Sequence, residues 1–276
     1  MWEKKDKNCD DADPDDKEQG SYWDHVLFDP ESKLVITLIV GRRTEEVLFE
    51  AFTDFYARTD GALPDLITTD EYKAYETVIY HTYGVWKEDL DLTKVEEVEW
   101  DEAERPRFYF PEEIAYATVH KERAKGRVVK IDKRVVFGTE DQVADVLCRS
   151  DTSSKTVNTS YVERWNGTQR HINARKARKV YTFSKELVFH VAVTYLCLVA
   201  YNFCWKPRTL REQVQDDPPR YHYRTPAMAA GLTDKAWTMA EVLSYPLYPP
   251  APPGAPDEEE KDKAPPNCGG ELAEAR

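Results

Sequence analysis

Apolar residues fall into short runs separated by polar turns, and two pairs of such runs predict β-hairpins. The first pair lies in HVLFDPESKLVITLIVG, where Asp29-Pro30 opens the turn between two β-rich runs. The second lies in AYATVHKERAKGRVVKIDKRVVFG, with Lys125-Gly126 at the turn. Between the hairpins, the apolar run 66–69 predicts a short buried strand that ends in Asp70.

In other segments apolar residues recur at the spacing of an α-helix. In RTEEVLFEAFTDFYARTDG they share one face, Thr44 is placed to cap the helix N-terminus, and Gly61 can close its C-terminus. Further helices are predicted over EYKAYETVIYHTYG, TEDQVADVLCRS, NTSYVERWNGTQRHINARKARK and SKELVFHVAVTYLCLVAYNFCW. The order of these elements predicts an α/β fold, a mixed sheet flanked by helices.

The stretch Leu187–Trp205 contains no charged residue and is long enough to cross a membrane. Polar side chains interrupt it, and the flanking segments show no asymmetry of positive charge. We therefore expect a buried core helix and no membrane span. The interrupting residues are His190, Thr194, Tyr195, Tyr201 and Asn202.

Composition divides the chain into a central core and two polar ends. Residues 1–21 are an acidic arm, and residues 246–276 combine 8 of the 17 prolines with the run DEEEKDK, so we expect both ends to be disordered. Residues 22–245 form the predicted core. Within it, residues 85–113 are acidic and are predicted to be an insertion.

Charge is distributed unevenly along the 276 residues. The formal net charge is −13, yet residues 118–211 carry 19 basic and 8 acidic side chains, a net of +11. A basic block inside an acidic chain indicates a surface that faces a polyanion, although a solvated basic helix face would give the same count. With 41% hydrophobic residues the chain is not globally disordered. The five cysteines lack zinc-binding spacing, and no secretory signal opens the chain, so we expect a cytoplasmic protein.

Two carboxylates occupy positions at which a mixed sheet can hold magnesium. Asp70 ends a strand, and Glu163 lies on a helix that can pack against the sheet. Magnesium needs oxygen ligands, and two ions about 4 Å apart can stabilise both oxygens of a phosphoryl displacement. The alternatives are that Asp70 caps the following helix and that Glu163 pairs with Arg164 or Arg170.

The helix around Glu163 has two distinct faces. Glu163 and Arg170 are seven residues apart and share one face, while Trp165 and Ile172 share another that can pack on the sheet. Further along lies the densest basic cluster of the chain, which suits a phosphodiester substrate. Its members are Arg175, Lys176, Arg178 and Lys179.

Several separated motifs resemble the insertion-sequence-one family of bacterial transposases and follow one another in that family's order. The resemblance extends from about residue 23 to 244 and implies a DDE enzyme with a ribonuclease-H-like, retroviral-integrase-like core. Such an enzyme uses magnesium, which manganese can replace, to nick DNA and to join the freed 3′ end to target DNA. The motifs are FDPESKLVITLIVGRRTEE, TTDEYKAY, NTSYVERWNGTQRHINARKARKVYTFSK, YNFCW and RTPAMAAGLTDKAWTMAEVL.

The resemblance assigns roles to individual residues. Asp70 matches the second catalytic aspartate of the family and Glu163 its catalytic glutamate, and both would be metal ligands. Arg164, Asn166 and Arg170 match helix positions near that glutamate. The residues that would hold DNA phosphates are Arg164, Arg170, Arg175, Lys176, Arg178 and Lys179.

One family feature has no counterpart in the chain. The first catalytic aspartate of the family precedes a tryptophan that Trp2 matches, so its position falls before Met1. Asp29 matches a turn position instead, and Asp24 is no better placed. We therefore expect a transposase impaired in cleavage and strand transfer, with DNA as partner and the oligomeric state left open. The alternatives are a non-catalytic DNA-binding remnant, a stand-alone nuclease, and an interaction protein that uses the acidic ends.

Overall fold

A computed structural model describes residues 21–86, 108–152, 154–177, 181, 182, 184 and 186–245. The architecture is mixed α/β, as the sequence pattern predicts. Residues 1–20 of the predicted acidic arm 1–21, the whole predicted tail 246–276 and residues 87–107 of the acidic insertion lie outside the described residues.

The strands of the described part are mostly short. They are β1 (Trp23–Phe28), β2 (Val35–Gly41), β3 (Leu66–Asp70), β4 (Val85–Trp86), β5 (Phe108–Tyr109), β6 (Ala115–Ala124), β7 (Arg127–Phe137), β8 (Glu212–Asp216) and β9 (Pro219–His222).

The helices are α1 (Glu45–Arg58), α2 (Ala74–Tyr83), α3 (Glu140–Arg149), α4 (Ser160–Ile172), α5 (Leu187–Val199), α6 (Pro226–Ala229) and α7 (Met239–Ser244). The first five helices follow the predicted order, and α6 and α7 were not predicted. A single 3₁₀ turn, Ala174–Lys176, follows α4, and a π-helical turn, Ala200–Cys204, extends α5.

The first predicted hairpin is confirmed as β1 and β2, which pair antiparallel. Asp29 stabilises the turn, because its carboxylate accepts hydrogen bonds from the backbone N–H groups of Glu31 and Ser32 at 3.0 and 3.1 Å. This turn role agrees with the position that the resemblance gives Asp29.

Helix α1 packs the first hairpin against the rest of the core. Thr44 caps it as predicted, accepting a hydrogen bond from Val47 N, and Gly61 follows its end with a positive φ of 75°. Leu48 and Phe52 of α1 are buried in one cluster with Ile79 and Tyr116. Thr37 of β2 also donates a hydrogen bond to Asp54 of α1 at 2.9 Å.

The second sheet has the order β3-β6-β7, with β3 parallel and β7 antiparallel to β6. Strand β6 is buried over Ala115–Val119, and alternate residues face two clusters. Tyr116 belongs to the cluster under α1 and α2, whereas Ala117 and Val119 pack with Val143 of α3. The second predicted hairpin is therefore confirmed as β6 and β7, and Lys125 and Gly126 at its turn both have positive φ.

A cavity separates the two sheets. Among the described residues β1 pairs only with β2, and β3 forms its ladder only with β6. The cavity has a volume of about 590 Å³ and is lined on one side by residues 23–31 and on the other by 64–70. Each of the two facing strands therefore has one edge without a strand partner in the described part of the chain.

The acidic insertion begins and ends at a short two-stranded ladder. Strand β4 pairs antiparallel with β5, so the chain leaves and re-enters the core at one place. The insertion can thus vary in length without altering the elements on either side.

Helix α5 is less buried than we predicted. Thr194 and Leu198 are buried within it, but Val188 is 64% exposed and Phe189 53%. The helix contacts the body along one side only, so the uncharged sequence does not mark a fully enclosed helix. One helical segment of the described part, Leu187–Leu210, is long and apolar enough to span a bilayer by these two criteria alone.

Polar contacts fasten α5 and its extension to β2. Asn202 is 7% exposed and forms two hydrogen bonds with the backbone of Val35, from Val35 N to Oδ1 at 3.2 Å and from Nδ2 to Val35 O at 2.9 Å. The hydroxyl of Tyr195 donates to the carbonyl of Leu38 at 2.8 Å. These hydrogen bonds attach α5 and its π-helical extension to strand β2.

Replacing Asn202 with Ala should lower the free energy of unfolding by about 2 kcal/mol or more, because a buried backbone N–H and C=O lose their partner. Tyr195→Phe removes one bond at a half-buried site and should cost about 1 kcal/mol. Urea denaturation of both variants and the parent measures the difference. Equal midpoints for Asn202→Ala and the parent would show that this contact does not anchor the segment.

Acid should destabilise the fold through His25 and His190. Burial lowers the pKa of both imidazoles below the usual 6.5, so the folded state binds fewer protons than the unfolded state. The free energy of unfolding should therefore be unaffected by these groups above about pH 7.5 and fall as the pH drops toward about 5. His25→Gln should make this dependence shallower in urea melts, whereas His171→Gln, at an exposed position of α4, serves as the control.

Candidate functional site

The two carboxylates singled out in the sequence line one cleft. The cleft has a volume of about 540 Å³, and both Asp70 and Glu163 contribute to its wall. The end of β3, the second half of β6 and the start of α4 form it. The other lining residues are Arg43, Glu71, Tyr72, Lys73, Val119, His120, Lys121, Arg123 and Thr159.

Asp70 reaches the cleft because β3 ends there. It lies beside Val119 in the parallel ladder with β6, and its side chain is exposed at the strand end. Its carboxylate accepts a hydrogen bond from Tyr72 N at 3.3 Å. The alternative role as helix cap is wrong, because α2 begins at Ala74 and its N-cap is Lys73.

Glu163 reaches the cleft from the first turn of α4. Its carboxylate is 2.5 Å from Nζ of Lys121 on β6, and the Lys121 ammonium also bonds Thr159 Oγ1 at 3.0 Å. Neither Arg164 nor Arg170 forms an ion pair with Glu163 in the described part of the chain. The partner of Glu163 is thus a lysine distant in sequence.

The opposite face of α4 is buried, as its apolar spacing predicts. Trp165 is 2% exposed and packs with Val35 and Leu38 of β2, together with Ile172. The Trp165 and Tyr201 rings lie 4.4 Å apart between centroids. This packing fixes the rotation of α4 about its axis and so directs Glu163 into the cleft.

The cleft fits magnesium only in part. Asp70 and Glu163 supply carboxylate oxygens, which suit a hydrated Mg²⁺ ion. The remaining acidic residue of the cleft, Glu71, is 2.5 Å from His120 Nδ1. Within the described ranges no group of three or more His, Cys, Asp and Glu residues is arranged to hold a metal. These residues therefore do not fit a two-ion centre, and the Lys121 ammonium already neutralises Glu163.

Cationic and aromatic side chains border the same cleft. The Arg43 guanidinium stacks over the rings of Trp23 and Tyr72, with its Cζ 5.0 and 4.3 Å from their centroids. Lys121 and Arg123 project from β6 on the other side. An anionic, extended ligand would meet positive charge on two walls of the cleft.

The six predicted phosphate-binding residues are placed differently from one another. Arg164 and Arg170 are exposed on α4. Arg175 is half-buried, and its Nη1 donates to Ser184 Oγ at 3.3 Å. Lys176 points inward, whereas Arg178 and Lys179 lie outside the described residues.

Lys176 forms a mostly buried ion pair rather than a surface contact. Its side chain is 9% exposed, and Nζ lies 2.5 Å from the Asp24 carboxylate and 2.6 Å from Gln169 Oε1. Burial lowers the pKa of Lys176, and the adjacent Asp24 opposes that shift. A phosphate could reach Lys176 only after this pair had separated.

Sequence reasoning missed Lys121 and Arg123 as site residues. The signal was present, because basic residues occupy alternate positions 121, 123, 125 and 127 in a predicted strand and turn. Alternate positions of a strand share one face, so this pattern indicates a cationic edge. The cluster after α4 is denser in basic residues and therefore gives the stronger sequence signal.

Lys176→Met should lower the free energy of unfolding by about 3 kcal/mol, because it leaves the Asp24 carboxylate unpaired in a mostly buried position. Arg170→Gln should leave stability unchanged and reduce the slope of log K for DNA against log[salt] by about 0.9, if Arg170 contacts a phosphate. Thermal melts and fluorescence anisotropy separate the two effects. A stable Lys176→Met protein with weakened DNA binding would instead place Lys176 at the DNA surface.

Comparison of the chain with protein-family models, with curated proteins and with solved structures finds no match in any of the three.

Proposed function

We propose that the protein binds DNA through a transposase-like core of the DDE type, with a ribonuclease-H-like arrangement of strands. The observation that carries this proposal is the position of Asp70, at a strand end, and Glu163, on an apposed helix, in one cation-bordered cleft. The parallel pairing of β3 with β6 supports the fold assignment, since it places the strand-end carboxylate beside the central strand. We place this activity in the cytoplasm.

The cavity between the sheets supports a role for a third carboxylate. It runs between β1 and β3 and shares Asp70 and Glu163 with the cleft. An extended segment in that cavity would lie next to both carboxylates. The resemblance assigns the family's first aspartate to a strand of this kind, so the third ligand would enter there.

In the proposed reaction the described side chains bind and orient DNA. Arg43, Lys121 and Arg123 would neutralise phosphates on either side of the cleft. Bound magnesium or manganese would supply Lewis-acid activation at Asp70 and Glu163. Because Asp70 and Glu163 are the two carboxylates that match the family's ligands, and Glu71 of the same cleft is paired with His120, we propose DNA binding with impaired cleavage and strand transfer.

A second candidate is a DNA-binding protein that has lost catalysis altogether. The ion pair between Lys121 and Glu163 favours it, because an ammonium group takes the position of a cation beside that carboxylate. Both candidates share the DNA surface and differ in metal binding.

Strand transfer by the purified chain with magnesium or manganese should be undetectable, while DNA binding should weaken steeply with salt. A loss of even about 4 kcal/mol of transition-state stabilisation slows the reaction by roughly a thousandfold. A strand-transfer assay on labelled oligonucleotides tests this. Activity that disappears in Asp70→Asn would show that another carboxylate completes the site.

Manganese binding followed by electron paramagnetic resonance distinguishes the two candidates. An impaired enzyme should bind one Mn²⁺ weakly and lose it in Asp70→Asn and Glu163→Gln. The matched control is Glu140→Gln, an exposed acidic residue in the first turn of α3. A protein without catalysis should give the same spectrum in all four forms, and absence of DNA binding would exclude both candidates.

A further inference from the structure

The β6–β7 hairpin continues beyond the body of the protein as a two-stranded arm. Strand β3 accompanies β6 only as far as Asp70, which lies beside Val119. From Glu122 through Ile131 each described residue is exposed. At a rise of about 3.3 Å per residue, the five residues after Val119 extend the arm by roughly 17 Å.

The arm is strongly basic and its charge is largely uncompensated. Residues 121–134 contain seven lysines and arginines against Glu122 and Asp132. Both acids lie near one lysine, Lys130, at 3.9 and 2.7 Å. The side chains of five cations of the arm form no ion pair or hydrogen bond within the described chain. They are Arg123, Lys125, Arg127, Lys133 and Arg134.

One face of the arm continues the wall of the candidate cleft. Lys121 and Arg123 follow Val119 at alternate positions, so all three face the side on which α4 lies. Lys133 pairs with Val119 across the ladder and shares that face. The positive charge thus runs without interruption from the cleft along the arm.

We propose that this arm, residues 121–134, binds the phosphates of double-stranded DNA and positions a DNA strand at the cleft. A two-stranded β-ribbon fits the major groove of B-DNA, which is about 12 Å wide. Cations on alternate positions suit a regular row of phosphates, and charge complementarity selects a polyanion. The proposal rests on the proposed function, because it assigns the arm to the same DNA.

An arm variant tests this assignment on the full chain. The variant carries Lys125→Gln, Arg127→Gln and Lys133→Gln, all at exposed positions outside the residues that line the cleft. The matched control removes the same charge at other exposed positions. It carries Arg149→Gln, Lys206→Gln and Arg208→Gln.

Fluorescence anisotropy with two duplexes of unrelated sequence, over a series of salt concentrations, is the measurement. The arm variant should reduce the slope of log K against log[salt] by up to about 2.7 on both duplexes, since each phosphate contact contributes about 0.9. The control should keep the parent slope. A variant with Arg127→Lys should also keep it, because phosphate contacts require charge and not a particular base-reading geometry.

A photo-crosslinking residue gives a second measurement that does not depend on affinity. Placed at Val129, which is 61% exposed on the arm, it should crosslink to duplex DNA. Placed at Leu243, which is 72% exposed on α7, it should not. If the parent binds DNA while the arm variant keeps its slope and Val129 does not crosslink, the arm proposal fails and the proposed function stands.

Other outcomes separate the proposed function from the arm. A parent chain that binds no duplex at low salt would overturn both. Binding of anionic vesicles by the arm with no binding of DNA would assign the arm to a lipid surface and overturn the proposal. Equal loss of slope in the arm and control variants would indicate a general charge effect rather than phosphate binding by the arm.

Discussion

The parallel register between β3 and β6 determines the geometry of the candidate site. It sets Asp70 beside Val119, and the alternation of side chains then turns Lys121 toward α4 and Glu163. A slip of one residue would exchange the faces of β6, burying His120 where Val119 now packs and turning Lys121 away from Glu163. The buried half of β6 prevents such a slip, because its residues fill clusters on both faces.

The same strand thus has two different roles along its length. Its first half is apolar and joins the cluster of α1 and α2 to the cluster of α3. Its second half is mostly charged, and its last three residues are exposed in the described part of the chain. The change from apolar to basic residues occurs at His120, beside the carboxylates. The buried half of β6 therefore holds the exposed half in a fixed position beside the cleft, where its charged side chains can contact a ligand.

Elements determined by local chemistry could be predicted from sequence. The Thr44 cap, the Asp29 turn and the Lys125-Gly126 turn depend on a few adjacent residues, and the structure confirms them. Contacts across long sequence separations could not be predicted in this way. The pairs Lys121–Glu163 and Lys176–Asp24 form only after packing brings distant elements together.

The exposure of α5 could not be predicted for a related reason. Composition shows that a segment is apolar. Which faces of the helix are buried depends on the elements that pack against it, and these are not visible in the local sequence. Asn202, an interruption of the apolar run, proved to be the residue that fastens the segment to Val35. Asp70 and Glu163, in contrast, line one cleft, and their role as metal ligands stays a prediction.

The gap between β1 and β3 has a consequence for how the chain behaves in concentrated solution. Two strand edges face each other across it, and within the described residues each lacks a strand neighbour on that side. Unpaired edges are templates for other chains, and a sheet open in its middle accepts a strand on both sides at once. A strand exchanged between two molecules would gain two ladders for one insertion. Such an exchange would join two molecules through ladders that the described part of one chain leaves open.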